Sequence, residues 1–220
     1  MYKELKKRIF TSIILSLLLI LMYYYSYILI ISLIIISTIS WIEFYGLILK
    51  IFKKNSYKEK ILRFIFKSFS LIYLIFFSSL IFAIVSKSSD YKILIIYALL
   101  VCICSDIGGL LFGKLLKGKK LSKISPNKTF SGSYGSFIFS LLLVPIFMMH
   151  LSNYSFLSLL IITLLISLTS QIGDLFISFL KRKAKVKDTG DILPGHGGIL
   201  DRIDGILFAV PISILLFNLF

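Results

Sequence analysis

Residues 156–182 read FLSLLIITLLISLTSQIGDLFISFLKR, and no charge interrupts the run before Asp174. A helix needs about 20 apolar residues to cross a hydrocarbon core, and this stretch exceeds that length before it ends on Lys181 and Arg182. It lacks the two-residue alternation of a barrel strand, so it reads as a membrane helix that meets water at its basic end. Working outward, comparable apolar stretches occupy residues 9–23, 27–49, 64–85, 91–112, 133–149 and 199–220. Lipid offers backbone groups no hydrogen-bond partner, so long non-alternating runs must close their bonds internally as helices. The expected fold is an all-α, polytopic transmembrane bundle of about seven spans. Residues 1–90 would carry three amino-terminal spans, and residues 91–220 four spans with the polar loops between them.

Composition supports this reading and excludes others. Hydrophobic residues make up 58% of the chain before glycine is counted, whereas soluble domains sit near about 45–50% with glycine included. A soluble globular domain is thereby ruled out. The chain has 25 Lys and Arg against 10 Asp and Glu, a formal charge of +15, and the positive residues collect between the spans. They lie at residues 3–8, 50–63, 114–128 and 181–187, while the opposite connections hold only Lys87 and Lys92. Basic loops stay in the cytoplasm, which places the amino terminus inside and the carboxyl terminus outside. Such loops also attract anionic headgroups. A nucleic-acid partner is not expected, because the lysines are spread over membrane-tethered loops without a nucleic-acid-binding fold signal. The first apolar stretch reads as a retained span and not a cleaved leader, since Tyr23, Tyr24 and Tyr25 stand where small residues would be needed. Cys102 and Cys104 form a CxC pair without the further ligands of a zinc site, so both read as ordinary span residues.

Polar residues inside such a chain need a reason, because an acid at a helix centre costs about 2.5–3.5 kcal/mol on insertion scales. Asp106 lies in CSDIGGLLFG, residues 104–113, with Gly109 and Gly113 at helical offsets that would admit a neighbouring helix. It serves either a site or a bond to a facing helix. Glu43, near the inner end of the second span, either snorkels toward the headgroups or belongs to the polar region. In residues 171–182, Asp174, Ser178 and Lys181 fall on one helical face. A helix-end salt bridge between Asp174 and Lys181 would leave Gln171 and Ser178 on that stripe unexplained.

Residues 187–205, KDTGDILPGHGGILDRIDG, differ from everything around them. Asp188, Asp191, Asp201 and Asp204 are gathered with His196, Arg202 and five glycines, and Gly197 and Gly198 permit close backbone approach. Asp201 and Asp204 share a face at the start of the last helix. Aligned carboxylates beside a glycine turn at a helix amino terminus suit a metal and a phosphate. The middle loop, residues 122–135 (SKISPNKTFSGSYG), offers hydroxyls, backbone amides and Lys128, the groups that hold a polyphosphate. Residues 108–114, GGLLFGK, imitate a nucleotide loop but lack the Ser or Thr after the lysine and a preceding strand, so that match is set aside.

Residues 178–204, SFLKRKAKVKDTGDILPGHGGILDRID, resemble the signature of the phosphatidate cytidylyltransferase (CDP-diacylglycerol synthase) family. Ser178, Lys181, Arg182, Lys187, Asp188, Pro194, His196, Gly197, Gly198, Asp201, Arg202 and Asp204 stand where that pattern places them. SDIGGLLFGK around Asp106, SPNKTFSG at residues 125–132, QIGDL before the signature and WIEFYG around Glu43 extend the likeness over most of the chain. Phe130 and Ser131 replace the usual Trp and Glu of the middle loop, and the chain is shorter than typical relatives, which would remove one or two amino-terminal spans.

The resemblance implies transfer of a cytidylyl group from CTP to phosphatidic acid, giving CDP-diacylglycerol and pyrophosphate, in a bacterial inner membrane with the site facing the cytoplasm. It implies Mg2+, with room for a second cation, held by Asp174, Asp201 and Asp204, with Ser178 and Asp106 in or beside the shell. Lys128, Lys181, Arg182, Lys187 and Arg202 would take substrate phosphates, and His196 would orient the glycine turn or a phosphate. Asp188 belongs to the same catalytic set. Ser125, Thr129, Gly197 and Gly198 would line the substrate site, and relatives of this kind suggest a homodimer. The alternatives are a CTP-dependent kinase of a polyprenol or related lipid, a relative acting on an ether-linked lipid phosphate, and a transporter of an anionic metabolite. A transporter would be expected to show paired repeats with helices interrupted at mid-membrane, and no repeat is evident.

Overall fold

The computed structural model describes residues 2–54, 56–86, 89–121, 125, 128–194 and 197–220, with the side chains of residues 2–9, 12, 89 and 90 left aside. Among the described residues the chain is helical, with isolated bridges at Lys120–Thr129 and Leu193–Gly197. The helices are α1 (Tyr2–Tyr24), α2 (Ser26–Ile51), α3 (Tyr57–Val85), α4 (Ser89–Leu116), α5 (Phe130–Leu141), α6 (Leu143–Phe147), α7 (Phe156–Lys183) and α8 (Leu200–Leu219). Among the described residues, five stretches are long and apolar enough to cross a membrane: Ser26–Ile51, Tyr57–Val85, Tyr91–Leu116, Phe130–Phe147 and Phe156–Lys183. The break expected at residues 24–26 is present, because Tyr25 is extended (φ −119°, ψ 106°) and separates α1 from α2. The span expected at residues 133–149 is divided into α5 and α6. Pro145 is the physical cause, since it has no N–H to bond the Leu141 carbonyl and its ring crowds that same group.

Two compact units make up the chain. The first contains Met1–Lys87 and Leu180–Ile203; the second contains Ser88–Phe179 and Asp204–Phe220. In the first unit, α2 and α3 are joined by the Ser37–Ser78 hydroxyl pair at 2.6 Å and by Trp41 Nε1 donating to the Lys67 carbonyl at 3.1 Å. The Lys67 ammonium then lies 5.1 Å from the Trp41 ring centre and 4.7 Å from that of Tyr45, a cation held over two aromatic faces. The last turn of α7 ends in a Schellman arrangement: Lys185 takes a left-handed φ of 57° and the Val186 N–H returns to the Lys181 carbonyl at 3.0 Å.

In the second unit, small residues let helices approach closely. A Cβ on Gly108 would sit 2.7 Å from the Phe139 Cβ, and one on Gly109 2.8 Å from Ser136 Oγ, so the glycine stripe around Asp106 does admit α5. Ser136 Oγ donates to the Ser105 carbonyl at 2.7 Å, and the Ser105 and Ser167 hydroxyls pair at 3.0 Å between α4 and α7. Between α7 and α8, Gly173 faces the Asp204 carbonyl and Phe208, and Gly205 faces Ser170. Gly108→Ala is expected to destabilise the protein by about 1–3 kcal/mol through overpacking. Thermal unfolding in detergent checks this; an unshifted midpoint would mean that α4 and α5 are not packed at this distance.

Buried hydroxyls share the interior with apolar side chains, and much of the outer surface is apolar. Ser40, Ser105, Ser140, Thr163 and Ser167 are at most 1% exposed, while Ile31, Ile34, Phe64, Phe69, Ile72 and Ile75 are each more than half exposed. In water so much exposed apolar surface would drive aggregation. In lipid it is the favourable outer surface, and the hydroxyls of Ser105, Ser140, Thr163 and Ser167 bond between helices where hydrophobic contrast no longer holds them together.

Candidate functional site

The signature loop lies in the first unit, and its centre is Asp201. Asp201 Oδ1 pairs with Lys181 Nζ at 2.6 Å. Its Oδ2 accepts from Thr189 N at 2.8 Å, Thr189 Oγ1 at 3.0 Å and Gly198 N at 3.2 Å. Both carboxylate oxygens are thus engaged by groups of the loop and the end of α7. Leu193 and Gly197 exchange reciprocal backbone bonds at 2.9 and 3.1 Å. Gly197 has φ +84°, where a side chain would be strained, so glycine is required there.

Glu43 also belongs to this cluster. It is 5% exposed and does not snorkel. Its Oε1 accepts from Ile199 N at 3.0 Å, and its Oε2 from Leu200 N at 2.9 Å and Thr189 Oγ1 at 2.8 Å. The side chain is an acidic cap supplied to α8 by α2. Gly190 and Gly198 lie against it, and a Cβ at Gly190 would fall 2.7 Å from Glu43 Oε1. Around this cluster, Arg182, Lys187, Asp188 and Arg202 are exposed. His196 lies outside the described residues.

The second unit holds its own polar cluster. Asp174 forms an ion pair with Lys128, and Ser178 Oγ donates to Asp174 Oδ1 at 3.3 Å, so the expected helical face is present. The two charged residues of that stripe find separate partners, Lys128 for Asp174 and Asp201 for Lys181. Gln171 is explained by structure: its Oε1 accepts from Ser133 Oγ at 2.6 Å, tying α5 to α7. In the middle loop, Ser125 is buried and its carbonyl accepts from Lys128 N at 3.1 Å. Thr129 caps α5 by accepting from Gly132 N at 3.1 Å, and Ser131 Oγ accepts from Gly118 N at 3.2 Å. Ser131 therefore ties the loop to the end of α4. Asp106 is exposed on α4, and Asp204 lies in the first turns of α8. Asp204 Oδ1 also accepts from Gly205 N at 2.8 Å.

Sequence reasoning missed Thr189 and the capping role of Glu43. The signal for Glu43 was an acid in an otherwise apolar span; its acceptor role needed the fold, since its partners lie about 150 residues away. Nothing in the local pattern around Thr189 distinguished it from an ordinary turn residue.

The donors expected to hold a cation are all oxygens, carboxylates and the Ser178 hydroxyl, which suits Mg2+ over softer metals. Asp201 lies in the first unit, Asp174 and Asp204 in the second. Among the described residues no three His, Cys, Asp or Glu side chains gather into a ready-made cage. Mg2+ is usually held by one or two carboxylates, with substrate phosphates and waters completing its octahedron, so the Asp174 carboxylate beside the Ser178 hydroxyl fits that mode. Asp174 already draws a cation, the ammonium of Lys128.

Apolar helices with inward hydroxyls and, among the described residues, the ion pairs Lys128–Asp174 and Lys181–Asp201 define an integral membrane protein. The profile of the cytidylyltransferase family matches residues 1–220, and the chain belongs to that family. It is 46% identical over 127 residues to the phosphatidate cytidylyltransferase of Staphylococcus haemolyticus (strain JCSC1435), covering 56% of this chain and 48% of the relative. The phosphatidate cytidylyltransferase of Bacillus subtilis (strain 168) is 46% identical over 128 residues, 57% of this chain and 48% of that protein. That of Helicobacter pylori (strain J99 / ATCC 700824) is 41% identical over 140 residues, 63% and 53% respectively. The chain spans about half the length of the curated relatives it matches.

Proposed function

We propose that the protein transfers a cytidylyl group from CTP to phosphatidic acid, forming CDP-diacylglycerol and pyrophosphate for phospholipid synthesis. The observation that carries this reading is the cytidylyltransferase-family match across residues 1–220, with the signature residues assembled as hydrogen-bonded clusters. An oxygen of the lipid phosphate attacks the α-phosphorus of CTP, and the bond from that phosphorus to the β-phosphate oxygen breaks as pyrophosphate leaves. The attacking group is already anionic, so no strong base is required, and the difficulty is to bring two anions together.

The basic side chains meet that difficulty. Lys128 exchanges its pair with Asp174 for a substrate phosphate, while Arg182, Lys187 and Arg202 sit at exposed positions where a phosphate can reach them. Lys181 is held by Asp201 at 2.6 Å at the end of α7. Asp174 and Asp204, with Ser178 and Asp106, are the groups proposed to hold Mg2+, with room for a second cation. When bound, the ion neutralises charge that builds on the phosphates. His196 orients the glycine turn or a phosphate in the same scheme.

About seven spans, the amino terminus in the cytoplasm, the carboxyl terminus outside, a bacterial inner membrane and a homodimer are parts of this proposal. The one-sided placement of basic loops supports the orientation. The test is a detergent assay of the full chain with Mg2+, phosphatidic acid and CTP labelled, in parallel reactions, on the α- or the γ-phosphate. Label in the lipid with matching pyrophosphate release is expected. Label entering lipid only from the γ-position would make the protein a lipid kinase and overturn the proposal.

A further inference from the structure

Glu43 has no role in the reaction just described, yet it is the most heavily bonded acid of the first unit besides Asp201. Its two oxygens accept from Ile199 N, Leu200 N and Thr189 Oγ1. The neighbouring amides are also engaged, Gly198 N by Asp201 and Gly197 N by the Leu193 carbonyl. Each amide from 197 to 200 at the head of α8 is therefore taken by an acceptor of the protein itself. Free amides at a helix amino terminus attract phosphate; here an internal carboxylate already fills that position. The helix dipole and charge-assisted bonds offset the cost of burying the charge.

The carboxylate is also held rigidly. Trp41 and Tyr45, two residues to either side of Glu43 on α2, are fixed to α3 through Lys67. From Glu43 the connection continues without a gap. The single hydroxyl proton of Thr189 lies between Glu43 Oε2 at 2.8 Å and Asp201 Oδ2 at 3.0 Å, and the other Asp201 oxygen holds Lys181 at 2.6 Å.

We infer that Glu43 is a positioning residue for the cytidylyl transfer. Its carboxylate fills the anion site at the head of α8, keeps Thr189, Asp201 and Lys181 in register, and leaves substrate phosphates to cationic side chains instead of these amides. This inference rests on the reaction proposed above.

The experiment compares the full chain with Glu43→Gln and Thr189→Val in detergent, measuring kcat, KM for CTP and hydrogen exchange at residues 197–200. Glutamine keeps the size but offers one acceptor oxygen where the carboxylate offers two. For Glu43→Gln, kcat is expected to fall about tenfold with KM changed less than about twofold, and exchange at Ile199 and Leu200 to quicken about tenfold. Thr189→Val cuts the connection while keeping the cap, so it should lower kcat similarly without faster exchange at those two amides. A raised KM at unchanged kcat in Glu43→Gln would make Glu43 a substrate contact and overturn the inference. Unchanged exchange in Glu43→Gln would overturn the cap. A parent chain that makes no CDP-lipid would overturn the reaction, and the positioning role with it, while the exchange data still judge the cap separately.

Discussion

Asp174→Asn is expected to lower turnover by about a thousandfold while leaving the thermal midpoint in detergent within about 2 °C of the parent. The two halves of that expectation have separate causes. The Asp174 and Lys128 side chains are 30% and 27% exposed, so water solvates whichever partner is left behind and the folded state loses little. Turnover depends on the charge itself, because an amide offers a hard cation one neutral oxygen where the carboxylate offers two that share a negative charge. The measurement pairs initial rates over a Mg2+ titration with a melting curve. Turnover within tenfold of the parent at saturating Mg2+ would remove Asp174 from the proposed cation site. A large fall in the midpoint would mean that the pair is structural.

The second large effect is expected at Asp201, and it should differ in kind. Asp201→Asn leaves the Lys181 ammonium, a side chain 15% exposed, facing an amide, and sets an NH2 group against either that ammonium or the Thr189 and Gly198 amides. Stability should fall by about 3–5 kcal/mol, as when one member of a buried pair is removed, and turnover should be lost as well. A double-mutant cycle with Lys181→Met separates the contributions. The double variant should recover part of the lost stability, because the orphaned ammonium is gone, with a coupling of about 0.5–3 kcal/mol. Strict additivity of the two single variants would show that Lys181 and Asp201 do not act on one another.

The contrast follows from environment and not from residue type. Both are aspartates paired with lysines in motifs of similar appearance, and composition gives no reason to treat them differently. The Asp201 carboxylate is surrounded by a loop that folds back onto it, whereas Asp174 faces outward from the stripe it shares with Ser178.

The division between sequence and structure can be drawn residue by residue. The apolar run at 156–182 required a membrane helix, since its length and lack of charge leave lipid as the only suitable solvent, and α7 covers Phe156–Lys183. The Asp174–Ser178 face followed from the helical period, and the glycines after Asp106 announced a close neighbour, which α5 supplies. These are local properties, carried by spacing along one element. Long-range pairing is of another kind: the ion pair of Asp174 with Lys128, and the assembly of residues 180–203 with the first three helices so that Glu43 reaches the head of α8, depended on tertiary structure. A buried carboxylate needs donors but does not specify them along the chain, and several loops here offer amides and hydroxyls. Which of them arrives is settled by how the helices pack.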